Sequence, residues 1–201
     1  MDHVRTMEDK DIDKCIIQIA EGDITSLKRL YDEFRIPVYK FALSILKSHE
    51  AAEDVSQETF VRIQIGAPKF QARGNSRAWI FSIVRNLAIS QLRQNQRREN
   101  YREGAAAFDP FQESRCEQEE AFKILDLLNR DEREIVILRI LAELSHKEIA
   151  QTLRLPCAAV RWKYAYAIKK LNRFLTLQSK EESMSYEAGR LEDQRVSSEQ
   201  L

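Results

Sequence analysis

A chain of 201 residues, 43% hydrophobic and 32% charged, holds one large domain or two small ones and has enough apolar content for a real core. Its 5 glycines and 4 prolines are too few for an all-β fold built on tight turns. Basic and acidic side chains balance at 32 each, so affinity for a polyanion has to come from their placement, not from their sum.

In chain order, Leu27, Leu30, Tyr31, Phe34 and Val38 recur at three- and four-residue steps. Phe41, Ala42, Ile45 and Leu46 carry that stripe past Pro37, which kinks or restarts the helix. Ser48 is placed to cap a further helix with Ala51, Val55, Thr59 and Ile63 on one face, and Gly66-Ala67-Pro68 ends it. Residues 69–75, KFQARGN, read as a basic loop. Asn75 or Ser76 caps the next helix, with core positions Ile80, Ile83, Val84, Leu87 and Ile89, and this helix runs into the basic QLRQNQRR. Residues 99–117 contain Gly104 and Asp109-Pro110 without periodicity and read as a linker. Helical pattern resumes with Phe122, Leu125 and Leu128. Asn129-x-x-Glu132 and Ser145-x-x-Glu148 both have capping-box spacing. The second opens a short helix, Ile149 to Leu153. Leu155-Pro156 interrupts it before a helix from about Cys157 to Leu175. The Ser/Glu-rich tail from Gln178 is expected to be mobile, with one short helix at most. The expected fold is all-α: two small helical domains, 1–98 and 118–177, joined by an acidic linker, 99–117, and followed by a polar tail, 178–201.

No apolar run approaches the roughly eighteen residues of a membrane span, and the acidic start MDHVRTMEDKDID lacks the apolar stretch of a secretory signal, so the expected location is the cytoplasm. Cys15, Cys116 and Cys157 are far apart, as are His3, His49 and His146. Neither the ligand pairs nor the spacing of a zinc site is present, and three reduced cysteines are expected. No cofactor is expected.

The charges are sorted by segment. Residues 1–58 hold 8 basic and 13 acidic side chains, 59–98 hold 8 and none, 99–134 hold 5 and 11, 135–175 hold 8 and 2, and 176–201 hold 3 and 6. Two basic blocks separated by an acidic stretch point to nucleic acid. Residues 145–173 have the plan of a helix-turn-helix, whose second helix enters the major groove with its first residues. Here those residues include Arg161, Trp162 and Lys163, with Tyr166, Lys169, Lys170 and Arg173 further along; the arginine and lysines suit guanine edges or phosphates. In the first basic block Phe70, Trp79, Phe81 and Tyr101 stand among Lys69, Arg73, Arg77, Arg85, Arg93, Arg97 and Arg98. Aromatics among cations suit single-stranded or melted DNA, although Trp79 lies near the apolar face and reads as core. Asp54, Gln57 and Glu58 share a helical face beside this block, either a solvated face or a docking surface for a basic partner.

These parts, in this order, resemble the extracytoplasmic-function group of bacterial RNA polymerase sigma factors. AEDVSQETF at 52–60 is similar to that family's acidic helix, A-E-D-x-x-Q-E-T-F. FQARGNSRAWIFSIVRN at 70–86 is similar to its loop F-x-x-x-G-x-x-x-A-W-L-x-x-I-A-x-N. LSHKEIAQTLRLPCAAVRWK at 144–163 is similar to its L-S-x-x-E-I-A-x-x-L-x-I-P-x-x-x-V-x-x-R. The resemblance spans about residues 14–177. It implies that Asp54, Gln57 and Glu58 meet the β′ clamp helices of core RNA polymerase. It implies that Lys69, Phe70, Arg73, Gly74, Asn75, Arg77, Arg85, Asn86, Arg93 and Arg97 open and hold the −10 element, with one base flipped into the 70–77 loop. Arg161, Trp162, Lys163, Tyr166 and Lys170 would read the −35 element, and the second domain would touch the polymerase β flap. An anti-sigma factor is the further partner implied, with no membrane insertion. The chain departs from the family at Arg154, where the helix-turn-helix usually has Gly, at Trp162, Tyr166 and Ile168, and at Ile63-Gln64, where a Trp often follows the acidic helix. The protein is expected not to be an enzyme. A stand-alone helix-turn-helix regulator has no need of the acidic AEDVSQETF face. A metal-dependent nuclease needs clustered carboxylates, which residues 59–98 lack.

Overall fold

The computed structural model describes residues 7–102 and 124–198, with side chains described for 7–95 and 124–178. Every element in it is helical. Helix α1, Asp9–Ala20, buries Ile12, Cys15, Ile16 and Ile19 at helical spacing and places Asp9 and Asp11 at the positive end of its dipole. Asp23 then caps α2, Ile24–Leu46, accepting from the Thr25 backbone N–H at 2.9 Å. The Thr25 and Ser26 hydroxyls donate to the same carboxylate, and these hydrogen bonds pull its pKa down to about 2.

Pro37 neither restarts nor ends α2, which runs through it as one helix of 23 residues. Proline forfeits one backbone hydrogen bond. On either side of it Phe34, Val38 and Phe41 are buried, and that packing holds the helix. Lys47, at φ 57°, stops α2, and Ser48 caps α3, His49–Gly66, accepting from the Ala51 N–H at 3.3 Å. A 3-10 turn at Ala67–Lys69 leads through the loop into α4, Ser76–Arg102. The buried face of α4 is Ala78, Ile80, Phe81, Val84 and Ala88; Ile83, Leu87 and Ile89 are half-buried rather than core. Phe81, expected among the base-stacking candidates, is fully buried edge-on to Phe34 and Phe41, with centroids at 6.3 and 5.6 Å.

The second domain opens with a 3-10 turn, Ile124–Leu127. Both expected capping boxes form: Asn129 opens α5, Arg130–Ile140, and Ser145 opens α6, His146–Leu153. Arg154 occupies the left-handed conformation, φ 57° and ψ 44°, that the family gives to Gly, and the Leu155 N–H closes the turn on the Ala150 carbonyl at 2.9 Å. Helix α7 is a correction to the sequence reading. It runs from Cys157 to Ser198 as one helix of 42 residues, so the tail continues the recognition helix as backbone helix. α4 likewise continues to Arg102, into the segment read as linker. Residues 103–123, with Phe122, Cys116 and most of that linker, lie outside the described residues.

The two domains touch. One apolar cluster takes in Phe34, Phe41 and Phe81 of the first and Ile135, Leu138, Leu144 and Ile149 of the second. α4 packs against α6, and α2 against α5. Among the described residues no helix is long and apolar enough to cross a membrane.

Candidate nucleic-acid interface

The acidic face, the loop and α4 are neighbours because α3 and α4 pack on each other through one core, joined by the short loop. On α3, Ala52, Val55, Thr59 and Ile63 point inward. That leaves Asp54 and Gln57 exposed and Glu58 half-exposed, in an ion pair with Arg62 at 2.6 Å. At the end of α3 a Cβ on Gly66 would meet the Trp79 ring at 3.1 Å. Trp79 in turn lies 4.9 Å, centroid to centroid, from Phe70. Phe70 is therefore packed as part of the loop's base, not held open for a nucleobase.

Beyond Phe70 the loop is open. Gln71, Ala72, Arg73 and Gly74 are exposed, and Arg73 donates to Gln71. Gly74 takes φ +68° with no atom near its missing Cβ, and its N–H donates to Asp13 at 3.2 Å. The Asn75 carbonyl accepts from the Trp79 N–H at 3.0 Å, which starts α4, while the Ser76 hydroxyl donates to the Asp9 carbonyl instead of capping the helix.

The cations divide into two sets. Lys69, Arg73, Arg93 and Asn86 beside them are exposed. Arg77 is 8% exposed. It lies 5.5 Å above the Phe34 ring, 3.3 Å from Asp9 and 3.7 Å from Glu143, and it donates to the Met7 carbonyl. In this arrangement Arg77 is a packing residue and does not face a strand, a correction to the sequence reading. Arg85 is also engaged, donating to Glu134 at 2.8 Å. The Arg97 side chain lies outside those described. A cleft of about 280 Å³ beside Arg77 is lined by Met7, Glu8, Asp9, Glu143 and Glu148. Burial there raises the Asp9 pKa against the pull of Arg77, and the Glu148 and Asp13 carboxylates push the same way.

On α7, Arg161 is exposed at the head of the helix. Trp162, 65% exposed, stacks on Tyr166 with centroids 5.5 Å apart and rings 6° from parallel. Lys170 sits 4.9 Å over the Tyr166 ring, so Trp162, Tyr166 and Lys170 form one row at four-residue steps. Lys163 and Lys170 are tied to the second domain itself. Lys163 pairs with Asp131, and Lys170 lies 3.1 Å from Glu132, a carboxylate that is 3% exposed. His146, at the start of α6, meets Tyr164 edge-on at 5.3 Å; burial, then Arg139 and Arg161, hold its pKa down. Among the described residues no group of His, Cys, Asp and Glu is arranged to hold a metal.

A helical protein with a capped helix-turn-helix behind a first domain that sets an acidic helix face beside a basic loop and helix defines a class of transcription protein. The comparisons agree. The Sigma-70 region 2 model matches residues 30–98 and the Sigma-70 region 4 model matches 118–171. The ECF RNA polymerase sigma factor EcfG of Rhodopseudomonas palustris (strain TIE-1) is 30% identical over 146 residues, covering 71% of this chain and 81% of that protein. The ECF RNA polymerase sigma factor SigX of Bacillus subtilis (strain 168) is 27% identical over 165 residues, covering 76% and 84%. The sigma factor RpoE from Bartonella quintana, solved in complex with the anti-sigma factor NepR, superposes with a TM-score of 0.63 at 25% identity, covering 76% of this chain and 98% of that one. The chain belongs to the extracytoplasmic-function (ECF) RNA polymerase sigma factors, the family that its motifs resemble.

Proposed function

We propose that the protein binds core RNA polymerase through the Asp54, Gln57 and Glu58 face, opens and holds the −10 element with the 69–75 loop and the exposed cations of α4, and reads the −35 element as duplex with the head of α7. The domain limits that go with this are 1–98 and 118–177. The protein supplies no reaction chemistry of its own, acts in the cytoplasm, and takes an anti-sigma factor as a regulatory partner, as the similar RpoE does.

One observation carries the reading. Asp54 and Gln57 are exposed on α3, while residues 67–98, the turn, loop and most of α4 that follow, hold seven cations and no carboxylate. A basic protein partner and a DNA strand can thus be held by one small domain without competing for the same charges. At the loop, Gly74 and Asn75 allow close backbone approach to an extruded base, and Lys69, Arg73 and Arg93 attract the backbone. At the head of α7 Arg161 is an exposed cation, and the Trp162–Tyr166 stack offers an apolar face to thymine methyl groups.

The test reverses the acidic face. Asp54→Lys with Glu58→Lys places two cations where the partner's cations should sit, so core-polymerase affinity should fall at least tenfold with helical content unchanged by circular dichroism. Co-purification of this variant with core at wild-type affinity would remove the docking assignment.

A further inference from the structure

The loop that the proposed reading gives to the −10 base is pinned at both ends. Phe70 packs on Trp79, with centroids 4.9 Å apart. At the other end the Ser76 hydroxyl donates to the Asp9 carbonyl at 3.2 Å, and Arg77 lies 3.3 Å from the Asp9 carboxylate and donates to the Met7 carbonyl. From Gln71 to Gly74 the loop is exposed. Among the described residues its hydrogen bonds there are Arg73 to Gln71, inside the loop, and the Gly74 N–H to Asp13 Oδ2 at 3.2 Å, outside it. Gly74 stands at φ +68° in open space, and a glycine backbone leaves that conformation as easily as it enters it.

We infer that Asp13 of α1 is a positioning residue for the loop: through the Gly74 N–H it holds the loop in the shape that receives an extruded base. The inference rests on the proposed reading of the loop as the base-holding element. It brings α1 into that element, although α1 precedes residues 30–98, the stretch that the region 2 model matches.

Asp13 stands on a firm support. Ile12 and Ile16 on the same helix are fully buried, and just before the helix the Met7 N–H donates to Glu33 of α2 at 3.0 Å. A hydrogen bond from a mobile backbone to such a support removes loop conformations in advance, so that less ordering is left for the ligand to bring about. The charge of Asp13 works the other way, because a carboxylate beside the loop opposes the approach of a phosphate backbone. Its second oxygen, Oδ1, is closed to water and has no hydrogen-bond partner among the described residues. Position and charge thus have opposite effects on strand binding, and substitution separates them. Alanine removes both; asparagine removes the charge and keeps an oxygen for Gly74. A loop that holds its competent shape roughly a tenth to a third of the time binds about three- to tenfold more weakly.

The test compares full-length wild type, Asp13→Ala and Asp13→Asn. Both substitutions fall inside a helix at a half-buried position, and alanine is the stronger helix former, so the fold is retained. Nitrogen-15 relaxation of the Gly74 amide reads the order of the loop. Fluorescence anisotropy of each protein assembled with bacterial core RNA polymerase, with core alone as the baseline, reads affinity for labelled single strands of about 15 nucleotides: homopolymers of adenine, cytosine or thymine, and an abasic strand with the same backbone. The expected result for Asp13→Ala is a more mobile Gly74 amide and a preference for the best homopolymer over the abasic strand that falls about three- to tenfold, with Asp13→Asn keeping both near wild type. An unchanged Gly74 amide in Asp13→Ala overturns the inference. Tighter binding of every strand by both variants, the abasic one included and the preference unchanged, makes Asp13 a charge and nothing more, and overturns it as well. A wild-type complex that binds the abasic strand as tightly as every homopolymer removes the base-holding reading of the loop, and the inference with it.

Discussion

Replacing Lys170 by Ala separates a DNA contact from a structural one. Family resemblance gives Lys170 to the −35 duplex, but its ammonium lies 3.1 Å from Glu132, which is almost fully buried and also closes the α5 capping box by accepting from the Asn129 N–H at 3.1 Å. Removing one partner of a fully buried pair costs about 3–5 kcal/mol, because the other charge stays behind. Lys170 is partly open to water, which reduces the cost to roughly 1–2 kcal/mol. For a chain of this size about 1 kcal/mol moves Tm by about 2–4 °C, so Lys170→Ala should melt about 3–6 °C lower. Adding Glu132→Gln should recover most of the loss, since the amide oxygen still accepts at the cap and no charge is stranded. Arg161→Ala, which removes an exposed cation, should leave Tm alone and cost about 1–3 kcal/mol on promoter duplex if the guanidinium contacts guanine. Calorimetry and anisotropy on the same preparations give both readouts. A Lys170→Ala protein that melts with wild type yet binds every duplex more weakly, with a flatter salt dependence, would make Lys170 a phosphate anchor and refute the reasoning.

Two further outcomes follow from local geometry. Arg154 sits at φ 57°, where a non-glycine residue carries about 1–2 kcal/mol of strain; glycine returns about 0.5–1 kcal/mol of that through a freer unfolded chain, so Arg154→Gly should raise stability by up to about 1 kcal/mol, and a lower Tm would show that the turn is unstrained. His146 has its pKa held below the ordinary 6.5 by burial and by Arg139 and Arg161, so the unfolded chain takes up a proton first as pH falls. The stability it contributes is present above 6.5 and is lost between there and the depressed folded value. His146→Gln should flatten the change in denaturant midpoint between about pH 7.5 and pH 5.5; an unaltered slope would assign it to other groups.

What was legible in the sequence was local. Ser48, Asn129 and Ser145 cap the helices they precede because a cap is decided by residues three apart. The strained turn at Arg154 was legible as a departure from a glycine position. α1 is weakly marked in the sequence, because charged residues surround Ile12, Ile16 and Ile19 and a short stripe is a weak signal. Pro37 misleads because its effect on a helix is local, while the packing that overrides it is tertiary. The expectations for Phe81 and Arg77 met the same limit. Both lie in a basic, aromatic segment, and only the fold decides that Phe81 points into the core and that Arg77 lies over Phe34 beneath Asp9. The contacts of Arg85 with Glu134 and of Arg133 with the Ser44 carbonyl join positions tens of residues apart, and no spacing rule reaches that far.

The unbroken course of α7 has a mechanical consequence. At 1.5 Å per residue its 42 residues make a rod about 63 Å long. In the proposed reading only its first turns enter the major groove, so most of the rod stands away from the DNA. A helix without proline resists sharp kinking, because a kink disrupts the backbone hydrogen-bond ladder. Tilting the rod by about 10° moves its far end by roughly 11 Å, while the head turns through the same small angle in its groove. With the head seated as proposed, a modest force applied near Ser198 would act on Arg161 and Trp162 through a long lever arm.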